Sequence, residues 1–551
     1  MRISPGAFLS KFRRVEQGSG LQPIFFVLAA LAVVLAIPFL LRPKENFLAQ
    51  ADDALVIISP HNEAVRYEFT RAFCEHYKNK TGRSIRIDWR LPGGTSEISR
   101  YLAGEYLAAF ENVWKSQGRP WNAQVAGAFD NPKIKLPGDS TKDTLPEQAR
   151  RAFLESSTGI GIDLFFGGGA YDFTLQADSG RLVASRVMAT HPEWFTEDSI
   201  PKNVSGEPFY DADGRWLGAC LSSFGLCYNA DSLRRLGFKT LPSSWLDLTN
   251  PLFFKQVALA DPTKSGSAAK AFEMVIQQQM QELVAGAGGD DKTILALGWA
   301  RGLQIIQAAS ANARYFTDSG TKIPLDVSMG DAAIGMCIDF YGRFQSEAVQ
   351  LENQPSRLQY LTPAGGSSVG VDPVGLLRGA RNREPAEEFI AFVLSLEGQK
   401  IWNFKVGTPG GPKKYALRRL PILKELYSPA FEAFRSDPDV QPYEEALLFT
   451  YHPEWTSPLF RAMSFIIRVM CLDVHDEQVY AWNALRAAGF PRDAYNKFTD
   501  MSAVDYETAK NHIKPLLASR NRIEEVRLAK QLAAHFRAQY LEAARLAHPT
   551  P

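Results

Sequence analysis

The order of strand-like and helix-like runs constrains this chain most. From Ala54 on, LVIIS (55–59) is an uninterrupted apolar run, as a strand buried on both faces requires. The segment 63–80 then places Val65, Phe69, Ala72, Phe73 and Tyr77 at helical spacing, and SIRIDW (84–89) alternates with period two. PGGTSEISRYL (92–102) turns on glycine into a helix start, with Thr95 or Ser96 as its cap. A β-α-β-α order implies a parallel sheet with helices packed on it.

Residues 105–158 break this rhythm with scattered Trp, Pro, Gly and charge, and read as a partly helical surface insertion. The rhythm resumes with GIDLFFGGGAYDF (161–173), a strand ending in three glycines. WLGACLSSFGLCYN (216–229) reads as one long strand and QVALADP (256–262) as another. VSMGDAAIGMCIDFYG (327–342) is a helix turn and then a strand. VDPVGLLRGA (371–380) is a strand, and PAEEFIAFVLSLEGQ (385–399) a helix with an apolar face. After about residue 425 strand signals vanish, and 457–471, 477–488, 505–519 and 521–547 read as helices.

Taken in order, VIISPHNEAVRYEF, DLFFGGGAYDF, WLGACLSSFGLCYNADSLRRLG, PSSWLDLTNPLFFKQVALADPTKSGSAA, GDAAIGMCIDFYG and PAEEFIAFVLSLEGQ carry a resemblance. Over roughly 54–410 the chain resembles the type II periplasmic solute-binding proteins of ABC importers, in the group that binds ferric iron and phosphorylated solutes. The resemblance implies an α/β fold of two lobes that close on a ligand by hinge motion. Lobe one would hold 54–228, with the insertion at 105–158, and a return at 345–410. Lobe two would hold 231–342, with FGLCYN crossing the hinge. A helical extension, 425–547, would follow and brace the lobes.

Ligands of open α/β sheets bind beyond the carboxyl ends of strands, and each candidate site segment falls at such an end. After the first strand come His61, Asn62 and Glu63, with Arg66 one turn on. His61 is a donor to an anion or a metal ligand, and Asn62 is also a natural helix cap. Gly94 and Thr95 open a helix whose N–H groups suit an anionic oxygen. Gly168 and Gly169 let the backbone approach a ligand closely, with Tyr171 beside them. Ser222 and Ser223 fall near the hinge. DPTKSGSAAKAFEMVIQ (261–277) gathers Thr263, Ser265, Gly266 and Ser267 between a strand and a helix. These residues suit helix capping, an oxyanion site, or both. By resemblance their partners are Arg314, a guanidinium clamp for phosphate or carboxylate, and Asp339 with Tyr341. Ferric binders of the group offer tandem tyrosines where this chain has Phe340-Tyr341, so an iron site would rest on His61, Glu63 and Tyr341.

Lys+Arg 61 against Asp+Glu 60 gives no electrostatic footprint for nucleic acid. Five cysteines occur singly in apolar contexts without metal spacing. Neither GxSxG, HExxH nor GxxxxGK[ST] is present, so a binding protein is expected rather than an enzyme, without a cofactor. IFFVLAALAVVLAIPFLL (24–41) is long enough to span a bilayer, and Arg2, Lys11, Arg13 and Arg14 would hold residues 1–23 in the cytoplasm. Ala49-Gln50-Ala51 keeps a cleaved signal peptide open. The expected protein is a monomeric binding component on the periplasmic side of the cytoplasmic membrane. It would deliver a small anionic solute, an organophosphate or carboxylate, to an ABC permease. Ferric iron binding and membrane-anchored sensing without transport are the alternatives.

Overall fold

The computed structural model describes residues 51–287, 291–352, 354–519 and 521–548. The expected cytoplasmic segment 1–23 and membrane span 24–41 lie outside them. Among the described residues no helix is long and apolar enough to cross a membrane.

The first sheet has seven strands in the order β14-β7-β13-β3-β1-β2, with β4 also on β13. They are β1 (Asp53–Ile58), β2 (Ile85–Arg90), β3 (Leu164–Phe166), β4 (Leu182–Val183), β7 (Leu217–Ser222), β13 (Gly370–Leu377) and β14 (Leu420–Pro421). β1 pairs in parallel with both β2 and β3, as the early alternation requires, while β13 runs antiparallel to β3 and β7. A hairpin of β5 (Asn203–Val204) and β6 (Glu207–Pro208) stands beside it. The second sheet has the order β10-β9-β11-β8-β12. Its strands are β8 (Phe224–Asn229), β9 (Val257–Ala260), β10 (Ala313–Thr317), β11 (Ile334–Ile338) and β12 (Leu358–Leu361).

The long run 216–229 is thus two strands in two sheets. The chain turns between them at Ser223, whose carbonyl accepts from Asp339 N (3.0 Å), while Phe224 N donates to Ser367 Oγ (2.9 Å). Both runs are fully buried and therefore equally apolar, so their composition carried no sign of the break. The lobe boundaries move accordingly. Phe224–Tyr228, expected in lobe one, pairs with β11 and β12 in the second sheet. The return expected at 345 comes only after β12, between Leu361 and Gly370.

Lobe-one helices are α1 (Glu63–Thr81), α2 (Thr95–Ser116), α3 (Leu145–Glu155), α4 (Ala170–Ser179), and later in the chain the pair Arg383–Leu394 and Leu396–Asn403. The stretch expected as a surface insertion helps build this lobe's core. Phe110 stacks on Phe129 at 5.1 Å, Phe153 meets both edge-on, and Trp114 is buried. Large aromatic area of this kind contributes strongly to a core.

Lobe two carries α5 (Gly266–Ala287), α6 (Lys292–Ala311), α7 (Lys322–Met329) and α8 (Asp339–Ala348). A third crossing follows: Ala446 packs in the first core and Phe449 in the second. From there α9 (Phe460–Ile467), α10 (His475–Ala487) and α11 (Arg522–Ala547) lie on the α5–α6 layer. Buried polar side chains stitch this contact: Trp299 Nε1 donates to Val504 O (3.0 Å) and Trp482 Nε1 to Asn312 Oδ1 (2.8 Å). Such bonds satisfy groups that burial would otherwise leave costly. The apolar stripes of the C-terminal helices therefore serve packing.

Candidate functional site

A cleft of about 680 Å³ lies between the two sheets, beyond the carboxyl ends of β1, β3, β9 and β11. That volume is in the range of small-molecule sites.

One face consists of helix starts. Gly94 rather than Thr95 or Ser96 is the N-cap of α2, and Gly169 is the N-cap of α4; neither offers a side-chain cap. Their first-turn N–H groups are therefore not taken by a cap side chain. Gly168 has φ +131°, and a Cβ there would come within 2.7 Å of Thr95 Cγ2, so only glycine lets these two segments meet. From the other lobe Ser265 starts α5. Its Oγ accepts from Ala268 N (3.3 Å) and lies 3.1 Å from Ser267 Oγ. The lobes nearly touch here: a Cβ on Gly266 would sit 3.9 Å from Thr95 Cβ, and one on Gly94 3.4 Å from Lys264 O. The cleft is closed along this rim.

His61 lies deeper, against Phe166 (ring centroids 4.6 Å) and under Gly167, where a Cβ would come within 2.5 Å of its ring. It is 4% exposed, and both ring nitrogens are buried without a hydrogen-bond partner. Burial, then the Arg419 and Arg66 charges, hold it well below the usual histidine range, so the imidazole is neutral. It can donate one hydrogen bond and accept one. Beside it Arg419 is ion-paired with Asp372 and lies over the Phe340 ring at 3.6 Å.

The third face is charged. Lys270 of α5 meets Glu207 of β6 (3.0 Å) and Glu273 (2.9 Å), and lies over the Tyr451 ring at 3.6 Å. Glu207 Oε1 accepts from Ser368 Oγ (2.6 Å). Glu273 Oε1 accepts from Tyr451 OH (2.9 Å) and Thr456 Oγ1 (2.5 Å). Tyr171 of lobe one packs on Phe460 of α9, ring centroids 4.7 Å apart. Burial pushes the neighbouring Asp172 carboxyl up to about 6, partly offset by a hydrogen bond from Ser99.

Of the residues expected at the site, His61, Gly94, Thr95, Gly168, Gly169, Tyr171, Ser222, Ser265, Gly266, Ser267 and Tyr341 line this cleft. The others do not. Asn62 caps α1, accepting from Val65 N (3.2 Å). Arg66 Nε is turned back to Asn62 O (3.3 Å), and Glu63 is exposed beside Tyr415. Thr263 is held in its own turn by Asp261 Oδ1 (2.6 Å). Ser223 serves the hinge, its Oγ 3.1 Å from Thr362 Oγ1. Arg314 is exposed and bound to Asp331, because it sits at the amino end of β10 while the cleft lies beyond the carboxyl end, at residues 318–321. Asp339 is fully buried, accepts from Phe340 N (2.7 Å) and pairs with Arg343. The guanidinium in the cleft is Arg419, and the ammonium groups are Lys270 on the third face and the exposed Lys264 at the rim.

Residues 180–436 match the family described as bacterial extracellular solute-binding protein. Over that segment, somewhat less than half of the chain, it is similar to the extracellular solute-binding proteins. An uncharacterized Haemophilus influenzae protein is 27% identical over 177 residues, 32% of this chain and 44% of that protein. The phosphoglycerate transport regulatory protein of Salmonella typhimurium is 23% identical over 185 residues, 34% of this chain and 40% of that protein. The chain thus spans less than half the length of these relatives. A solved periplasmic binding protein from Actinobacillus pleuropneumoniae, with exogenous fructose-6-phosphate bound, has TM-score 0.42 and 17% identity, over 64% of this chain and 82% of that one. The family match ends at Arg435-Ser436, so Tyr451 and Phe460 lie beyond it.

Proposed function

We propose that the chain is the extracytoplasmic solute-binding component of an ABC importer, and that it captures a small organic solute bearing a phosphate or carboxylate. One observation carries this reading: the starts of α2, α4 and α5, from both lobes, open onto one closed cleft. N–H groups at helix starts and their dipoles favour an oxyanion. Neutral His61 adds a donor and an acceptor suited to a phosphate oxygen or a hydroxyl. Closure between strand-end loops would bury the solute, and opening about Ser223 and 362–369 would release it to a permease in the cytoplasmic membrane. The chain would work as a monomer on the periplasmic side, held there by residues 24–41.

Ferric iron is the weaker reading. Tyr341 and His61 are in the cleft, but Glu63 is at the surface and cannot complete a ligand set with them. A sensing role without transport is supported by the word "regulatory" in the name of the Salmonella relative.

A thermal-shift panel on the purified protein tests the reading. A ligand that binds only the folded state at a hundred times its Kd raises stability by about 2.7 kcal/mol. Phosphate esters or carboxylates should raise the melting temperature. A shift with ferric citrate alone, accompanied by a visible tyrosinate-to-iron band, would instead establish the iron reading.

A further inference from the structure

The charges of the cleft do not match a purely anionic ligand. Arg419 is balanced by Asp372, and the remaining rim cation, Lys264, stands beside the helix starts, away from the third face. At the third face two carboxylates share one ammonium. Glu207 and Glu273 are 4% and 0% exposed, and Lys270 lies between them. Glu273 Oε2 is buried and lies 2.9 Å from the Lys270 ammonium that Glu207 also uses. A negative charge is thus left over in a buried setting, where uncompensated charge is costly. It would also repel an anion seated against this face.

We propose that the cleft takes a zwitterionic solute, its oxyanion at the helix starts and its ammonium group before Glu273, Glu207 and Tyr451. This rests on the oxyanion reading above and narrows it to amine-bearing phosphates or carboxylates. The aromatic surroundings suit the ammonium. Tyr451 already takes one ammonium on its face, and the Tyr171–Phe460 pair borders the same space. Aromatic faces attract cations, more strongly when water is excluded. Tyr171 is near enough to feel this charge: desolvation, then Asp172, raise its phenol to about 12, with Arg461 opposing and Glu273 adding to the shift. His61, whose buried ring nitrogens have no protein partner among the described residues, offers the same cleft one donor and one acceptor. Tyr451 and Phe460 come from the segment after the third crossing. The C-terminal extension therefore supplies part of the ligand site besides bracing lobe two.

Isothermal titration of the full-length protein with phosphoethanolamine, glycerol 3-phosphate and ethanolamine tests this. Phosphoethanolamine should bind about tenfold more tightly than glycerol 3-phosphate, and ethanolamine alone weakly. Glu273→Gln should reduce that preference about fivefold or more without weakening glycerol 3-phosphate. Glu207→Gln should act in the same direction, and it decides the matter if Glu273→Gln does not fold. Equal or better binding of glycerol 3-phosphate would overturn the ammonium subsite and leave the oxyanion reading standing. So would a preference that neither variant changes. Binding of neither phosphate, or of ethanolamine as tightly as phosphoethanolamine, would overturn both.

Discussion

The rim of helix starts and the charged face line the same cleft but are assembled differently. The rim is local: Gly94-Thr95, Gly168-Gly169 and Ser265-Gly266-Ser267 each follow a strand directly, and folding the sheets brings them together. The charged face is assembled from distant positions, 207, 270, 273, 368 and 451, on both lobes and the C-terminal segment. A local anion site can be built wherever a strand feeds a helix. A charge-balanced wall needs the complete tertiary fold. The rim should thus carry affinity at little cost to stability, and the charged face should carry stability together with selectivity.

The largest effect should come from the charged face. Lys270→Met leaves Glu207 and Glu273 buried without their shared cation and should cost roughly 3 kcal/mol in urea unfolding. A loss no larger than that of an exposed ion pair would dissolve the contrast. On the rim, Gly266→Pro should do the reverse. Proline suits the first turn of a helix but removes an N–H group, so binding should weaken about tenfold while the melting temperature stays close to the parent's. Equal losses in both quantities would make this stretch a cap and nothing more.

The smallest effect is a pH signature at Asp172, where the two faces meet. Burial raises this carboxyl from an ordinary value of 3.8 to about 6 in the folded chain. The folded state therefore holds the proton more tightly than the unfolded state. The favourable contribution is full below the unfolded value and is lost as pH rises through about 6. Asp172→Asn should unfold at higher urea than the parent near pH 7.5 and show no advantage near pH 4. An advantage independent of pH would place the effect in packing.

The rim and the fold class were legible because both depend on local pattern. Burial periodicity marked β1, α1 and β2, and glycines or hydroxyls at strand ends marked the cleft segments. The break at Ser223 was not legible in the burial pattern, since two fully buried strands joined end to end look like one; only the resemblance placed Ser222 and Ser223 near the hinge. Arg314 was misjudged as a clamp because it stands at the start of β10, and the cleft lies at the other end of that strand, whose limits the sequence did not mark. Lys270 and Glu273 left a faint trace: a charged pair three residues apart on a helix among Ala269, Ala271, Phe272 and Met274, all buried. Glu207, Arg419 and Tyr451 left none, because only long-range packing brings them to the cleft.

The central claim is that ligand is held between lobes that close at the rim. A disulfide across the cleft tests it most directly. The 3.9 Å between a Cβ on Gly266 and Thr95 Cβ suits that bond. Thr95→Cys combined with Gly266→Cys should oxidise spontaneously. Loaded with the phosphate ester that gives the largest thermal shift, the oxidised protein should retain ligand through dialysis. Oxidised when empty, it should refuse ligand until reduced. Unchanged binding and exchange in the oxidised protein would contradict the account, because the ligand would then be entering somewhere other than this cleft.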